Sequence, residues 1–255
     1  MTTPETLDWV EGLRASLTDL PLAARAELAR FWTRAAERHH HDIAVYSRFS
    51  LGLISLAAPP GLLTGAHRAA FESTRHARTS FALASLFAGE PIGPKPLAGA
   101  AGGLEGLHRA PLLRATLSGA CVASCVASAL AEGRARVARE PALIAYFEEL
   151  SRDFAEHAAF AWRAAQFLLE SADTPADAAE LRASIVAMRG ELVVKLAGDG
   201  GAEVLDFDDP TLAPTLANRY GLLTRARALE LSGIALSERV IPALTMLEGD
   251  SYQVN

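Results

Sequence analysis

The chain has 255 residues, half of them hydrophobic and 21% charged, with a formal net charge of −6 and two cysteines. That apolar content excludes intrinsic disorder, and two cysteines in this length exclude a disulfide framework. The acidic balance, with Lys95 and Lys195 the only lysines, excludes the basic face a nucleic-acid partner needs.

Alanine fills roughly a fifth of the positions, which favours closely packed helices over sheets. Thr3 and Pro4 open a short helix, and the first 30 residues hold acids with no basic n-region and no apolar h-region, so no secretion signal is expected. Pro21 begins a long helix running to about Leu56, where Pro59 and Pro60 stop it. Its apolar stripe includes Trp32, Ala35, His39, Tyr46, Phe49 and Leu53. A second long helix spans about Gly61 to Ala88, with Ala66, Ser73, His76 and Ser80 on its inward row. The glycine- and proline-rich stretch from Gly89 to Ala110 has no amphipathic period and predicts a long crossover. A third helix is expected from Pro111 to about Ala138. Its uncharged run, Ala115 to Ala131, is 17 residues and rich in Ala and Ser, which predicts no membrane span. The fourth runs from Pro141 to near Glu170, with Phe147, Phe154, His157 and Ala161 on one stripe. Three further segments follow, opened by Thr174-Pro175, by Asp209-Pro210 and near Arg225, the last bent by Pro242. The expectation is one soluble, cytoplasmic all-α domain over residues 1–255, with a core bundle at about 21–170 and a C-terminal helical extension at about 174–248. Four long helices divided by one long connection suit a bundle with a crossover.

The segments Glu72-Ser73-Thr74-Arg75-His76-Ala77 and Asp153-Phe154-Ala155-Glu156-His157-Ala158 resemble degenerate copies of the D-E-x-R-H-A motif of bacterial ferritin-like proteins. The flanks Tyr46 to Phe49, Phe81 to Ser85 and Ala161 to Arg163 agree, and the similarity covers about residues 30 to 247. The resemblance implies a ferritin-like four-helix bundle, a fold in which two metals are held by one Glu on each of two helices and an E-x-x-H pair on each of the others. The two histidines fall on His76 and His157. The carboxylate positions read Ser73, Phe154, His39, and Ala120 or Ala123. Two irons need that lost negative charge, so no di-iron cluster is expected. The acids preceding each lost ligand remain, and the resemblance implies the pairs Asp153–His76 and Glu72–His157.

A carboxylate behind a histidine fixes its tautomer and raises its basicity, for protons or for metal. The alternative is two buried polar pairs with a structural role only. His39, His76 and His157 come from three helices and suit one Zn, Cu or Fe ion, whereas His39 alone reads first as a satisfied core histidine. Cys121 and Cys125 read as small core filler, and His67 and His108 as surface residues. Small residues of the third helix, among them Ser118, Gly119, Ala120, Ala123 and Ser124, are expected at the bundle centre opposite Tyr46, Phe154 and Phe160. That composition, with Ser73, suits a pocket for a small, largely apolar molecule. Three readings follow. The first is an enzyme using the His–carboxylate pairs as acid and base, or as ligands of a single transition-metal ion. The second is a non-catalytic ligand- or partner-binding relative, and the third a di-metal oxidase with unconventional ligands. Assembly into a homo-oligomer stays open.

Overall fold

A computed structural model of the chain describes residues 4–18, 20–97, 108–197 and 218–249. The fold is all-α, with seven helices and no strand among those residues. α1 (Pro4–Gly12) runs into a 3-10 turn at Leu13–Leu17. Thr3 and the helix expected at Asp209-Pro210 lie outside the described residues.

α2 (Leu22–Ser55) and α3 (Pro60–Ala88) form a long antiparallel hairpin. α2 stops because Ala57 turns left-handed at φ 51, so that the Ala58 N–H reaches the Leu53 carbonyl at 3.0 Å. Pro59 and Pro60 then offer no N–H to continue it. α3 begins on Pro60, where the missing donor has no cost, and ends at Gly89, whose φ of 77 suits a glycine. α4 (Arg109–Val137) and α5 (Pro141–Glu170) form the second hairpin. α5 has the bounds its sequence predicts.

α4 departs from expectation. It starts at Arg109, two residues before Pro111, and Thr116–Val122 form a π turn. A π turn carries one more residue than an α turn, so the buried face rotates beyond it. Ala120, Cys121, Ser124, Cys125 and Ser128 are buried, whereas Ser118, Gly119 and Ala123 are exposed. Ala123 therefore does not line the bundle centre. α4 is also long and apolar enough to cross a membrane by length and composition, which the shorter uncharged run hid. Just over half of its most apolar window is buried inside the protein.

α6 (Pro175–Ala197) is capped as expected, with the Thr174 hydroxyl accepting from the Asp177 N–H at 3.1 Å. The last helix, α7, spans 225–249, and its irregularity is a π turn at Leu236–Val240 just ahead of Pro242. The segment before α7 ties back onto earlier parts of the chain. Arg139 N–H donates to the Arg219 carbonyl at 2.9 Å, and the Tyr220 hydroxyl to the Ser16 carbonyl at 2.9 Å.

The four long helices bury two separate apolar clusters. One is built on Trp32, Phe87 and Phe147, with Trp32 stacked on Phe147 at 5.7 Å. The other holds Phe49, Leu113, Phe160 and Leu168. Between them every long helix contributes buried polar residues: His39 from α2, Glu72, Ser73 and His76 from α3, Ser124 and Ser128 from α4, Asp153 and His157 from α5. A polar layer across the middle of a core is costly unless its members satisfy one another.

Candidate functional site

The inner row of α3 carries Glu72 and His76, four residues apart and hence on one face. The inner row of α5 carries Asp153 and His157 in the same spacing. The two helices run antiparallel, so the acid of each meets the histidine of the other. His76 Nε2 lies 2.8 Å from Asp153 Oδ2, and His157 Nε2 lies 2.8 Å from Glu72 Oε2. Both implied pairs are present. His76 is 0% exposed, His157 2% and Glu72 5%.

An arginine of α3 backs each carboxylate. Arg68 Nε donates to Glu72 Oε1 at 2.8 Å, and its other end reaches Glu156 Oε2 at 2.5 Å. Arg75 Nη2 donates to Asp153 Oδ2 at 2.6 Å and lies 2.9 Å from Glu149 Oε1. These arginines were not singled out in the sequence. The four-residue spacing of Arg68 and Glu72 was a readable signal. Arg75 reaches across to α5, which no local pattern reveals.

The protonation states follow from burial. Burial pushes His76 down to about 4, opposed by its hydrogen bond to Asp153. Burial lowers His157 as well, opposed by Glu72. For Asp153 burial acts upward, but the His76 bond and the charge of Arg75 outweigh it and hold the carboxyl below its usual range. A neutral His76 therefore donates through Nε2–H to ionised Asp153, and a neutral His157 has the same 2.8 Å geometry toward Glu72. Nδ1 of both rings is buried and has no hydrogen-bond partner, as is Nδ1 of His39. A protonated ring would bury an unsatisfied N–H donor, a larger penalty than an idle lone pair.

His39 stands 5.4 Å from His76 between ring centroids, and its Nδ1 is 3.9 Å from Asp42 Oδ2, too far for a hydrogen bond. The three imidazoles do not form a ready metal site. Among the described residues, the one donor triad within 4.8 Å is His76, Glu149 and Asp153. Phe154 explains the separation. Its ring lies 5.8 Å from His39, 5.7 Å from His76 and 5.8 Å from His157, with the His76–His157 rings 6.5 Å apart.

The remaining candidates divide. Tyr46 packs edge-on against His157 at 5.2 Å and its hydroxyl lies 3.3 Å from Ser124 Oγ. Burial raises its pKa. Ser73 and Ala120 are buried, and Ala123 is not. A groove of about 160 Å³ opens at the α3–α5 seam, with Arg68, Glu72, His157, Phe160 and Arg163 in its walls, rather than at the bundle centre. Gly65 lines it too, and a Cβ there would meet Phe160 at 2.4 Å, so the helices close tightly at that point. Cys121 and Cys125 are free and buried. His67 is exposed, yet its Nε2 meets Ser50 Oγ at 2.7 Å.

No family model, curated protein or solved structure matches this chain.

Proposed function

We propose that the chain is a ferritin-like bundle without a dinuclear metal cluster, whose two carboxylate-held imidazoles act as general bases on a small, largely apolar molecule. The arrangement of two long hairpins joined by one long connection supports the bundle reading. The donor chemistry speaks against a cluster. His39, Ser73, Phe154 and Ala120 stand at the positions that would need carboxylates, and Phe154 fills the space between the histidines.

One observation carries the functional half. In both pairs Nε2 is clamped to a carboxyl oxygen at 2.8 Å while Nδ1 is buried and idle. The tautomer is thereby fixed with its basic nitrogen free, and the acid stabilises the imidazolium that forms when Nδ1 accepts a proton. A general base of this kind contributes about 10²–10⁴-fold in rate.

Nitrogen NMR of histidine-labelled protein at neutral pH tests the assignment. The expected result is two neutral rings, each protonated at Nε2. An imidazolium, or Nδ1–H on either ring, refutes it. Elemental analysis of protein purified without a His tag tests the absence of a dinuclear cluster, and close to two irons per chain would overturn it.

A second reading has its own support. His76, Glu149 and Asp153 offer three donors within 4.8 Å and would suit a single divalent ion. Arg75 already bridges both carboxylates at 2.9 and 2.6 Å, so the ion would have to displace a guanidinium. Zn²⁺ titration of the unaltered chain and of Arg75→Ala separates these readings. Binding in both favours the metal, and binding in the variant alone favours Arg75 as the resident cation.

A further inference from the structure

The centre of the polar layer is occupied by the chain itself. Phe154 is half-buried, while the three imidazoles around it are buried. Its ring lies nearly parallel to His39, at 27°, nearly perpendicular to His157, at 86°, and tilted by 57° to His76. Centroid separations of 5.7–5.8 Å are those of favourable ring pairs. The walls thus have the shape of a slot for one flat ring. Phe154 is partly exposed, and its ring lies against all three histidines. The opposite helix has Ser73 at the matching place, one residue after its acid, so only one side of the layer is filled in this way.

We propose that Phe154 is the gate of this site and that its ring marks the ligand class: a flat six-membered ring bearing one hydrogen-bond donor. This rests on the reading that His76 and His157 are the working groups. A rotation of Phe154 about its side-chain torsions vacates the slot. A ligand of the same outline then meets the ring faces that Phe154 met. Its donor additionally finds an Nδ1 acceptor that the phenyl group leaves idle. Phe154 thereby excludes aliphatic molecules by shape, and the idle nitrogens discriminate among flat ones by their donor.

The test uses phenol, benzene and cyclohexanol as probes, titrated calorimetrically into the unaltered chain and into Phe154→Ala. The variant should bind phenol about tenfold tighter than the unaltered chain, because the closed state no longer competes. Within the variant, phenol should bind about tenfold tighter than benzene, the effect of one buried acceptor satisfied. Cyclohexanol, with the same hydroxyl on a puckered ring, should bind more weakly than phenol. A variant that prefers benzene has merely acquired an apolar hole, and that result overturns the proposal. So does equal binding of phenol and cyclohexanol, or no gain over the unaltered chain. Should Phe154→Ala fail to fold, Phe154→Leu opens less space and must give the same ranking. The two failures are distinguishable. Protonated rings would remove the general bases and the Nδ1 acceptor together, while neutral rings with a benzene-selective cavity would retain the general bases and remove the gate.

Discussion

Asp153 Oδ2 accepts from both His76 Nε2, at 2.8 Å, and Arg75 Nη2, at 2.6 Å, so one oxygen carries the bond into the core and the bond to the surface. The guanidinium is 40% exposed and the imidazole is fully buried. Loss of the carboxylate charge should therefore be felt mainly through His76. Asp153→Asn should destabilise the fold by about 1.5–3 kcal/mol, because the buried Nε2–H of His76 loses its charged acceptor. Arg75→Ala, which deletes a partly solvated partner, should cost about 1 kcal/mol or less. Urea unfolding of both variants checks the order, and the reverse order would show that Arg75 holds the layer together.

The second pair predicts a contrast in coupling. A double-mutant cycle of Glu72→Gln and His157→Gln should give about 1–3 kcal/mol, because the two groups touch and are buried. The Arg68–Glu156 contact, with side chains 59% and 54% exposed, should couple by less than about 1 kcal/mol. Equal couplings would mean that burial does not set the value of these bonds.

Stability should fall on acidification. The folded-state pKa of His76 is about 4 against an ordinary value of 6.5. Above pH 6.5 both states are deprotonated and the group is neutral in its effect. Between pH 6.5 and about 4 the unfolded chain takes up the proton first, and roughly 3 kcal/mol is lost. His157 is lowered as well and acts in the same direction. Asp153 is also lowered, so its contribution is present above 3.8 and drops away at more acid pH. Urea midpoints measured from pH 7.5 to 4 should decline, and His76→Gln should flatten the upper part of that decline. A midpoint that rises on acidification would reverse the assigned direction.

The long helices were legible because a 3.6-residue period is a local property, whereas the two pairs were implied only by the resemblance of the segments around His76 and His157. α5 keeps that period from Pro141 to Glu170, and its stripe of Phe147, His157 and Ala161 is buried as expected. α4 breaks the period with a π turn, which is why Ala123 was expected inside and is exposed. No residue type marks that turn. The role of Phe154 was legible only as a lost ligand position, since the contacts of its ring depend on how three helices converge.

Gly221 gives a prediction outside the polar layer. Its φ is 77, and a Cβ would meet the Phe147 ring at 2.2 Å. Gly221→Ala combines left-handed strain of about 1–2 kcal/mol with crowding of the Trp32–Phe147 stack. Loss of about 2 kcal/mol or more is expected, with a change in tryptophan fluorescence. Gly93→Ala, where a Cβ meets nothing within 4 Å, should leave both readouts unchanged and serves as the control.

The crosswise arrangement of acids and histidines also fixes how far α3 can slide along α5. Four residues of helix correspond to about 6 Å of rise. A slip of that length in one direction sets Glu72 opposite Asp153, two carboxylates face to face in an apolar surround. The same slip in the other direction sets His76 opposite His157, two neutral rings offering each other the wrong complement of protons. Either displacement breaks both hydrogen bonds at once, so the two pairs act as a vernier whose marks coincide at a single alignment. The close fit of Gly65 on Phe160 and the Arg68–Glu156 and Arg75–Glu149 bridges lie on the same seam and hold the same alignment.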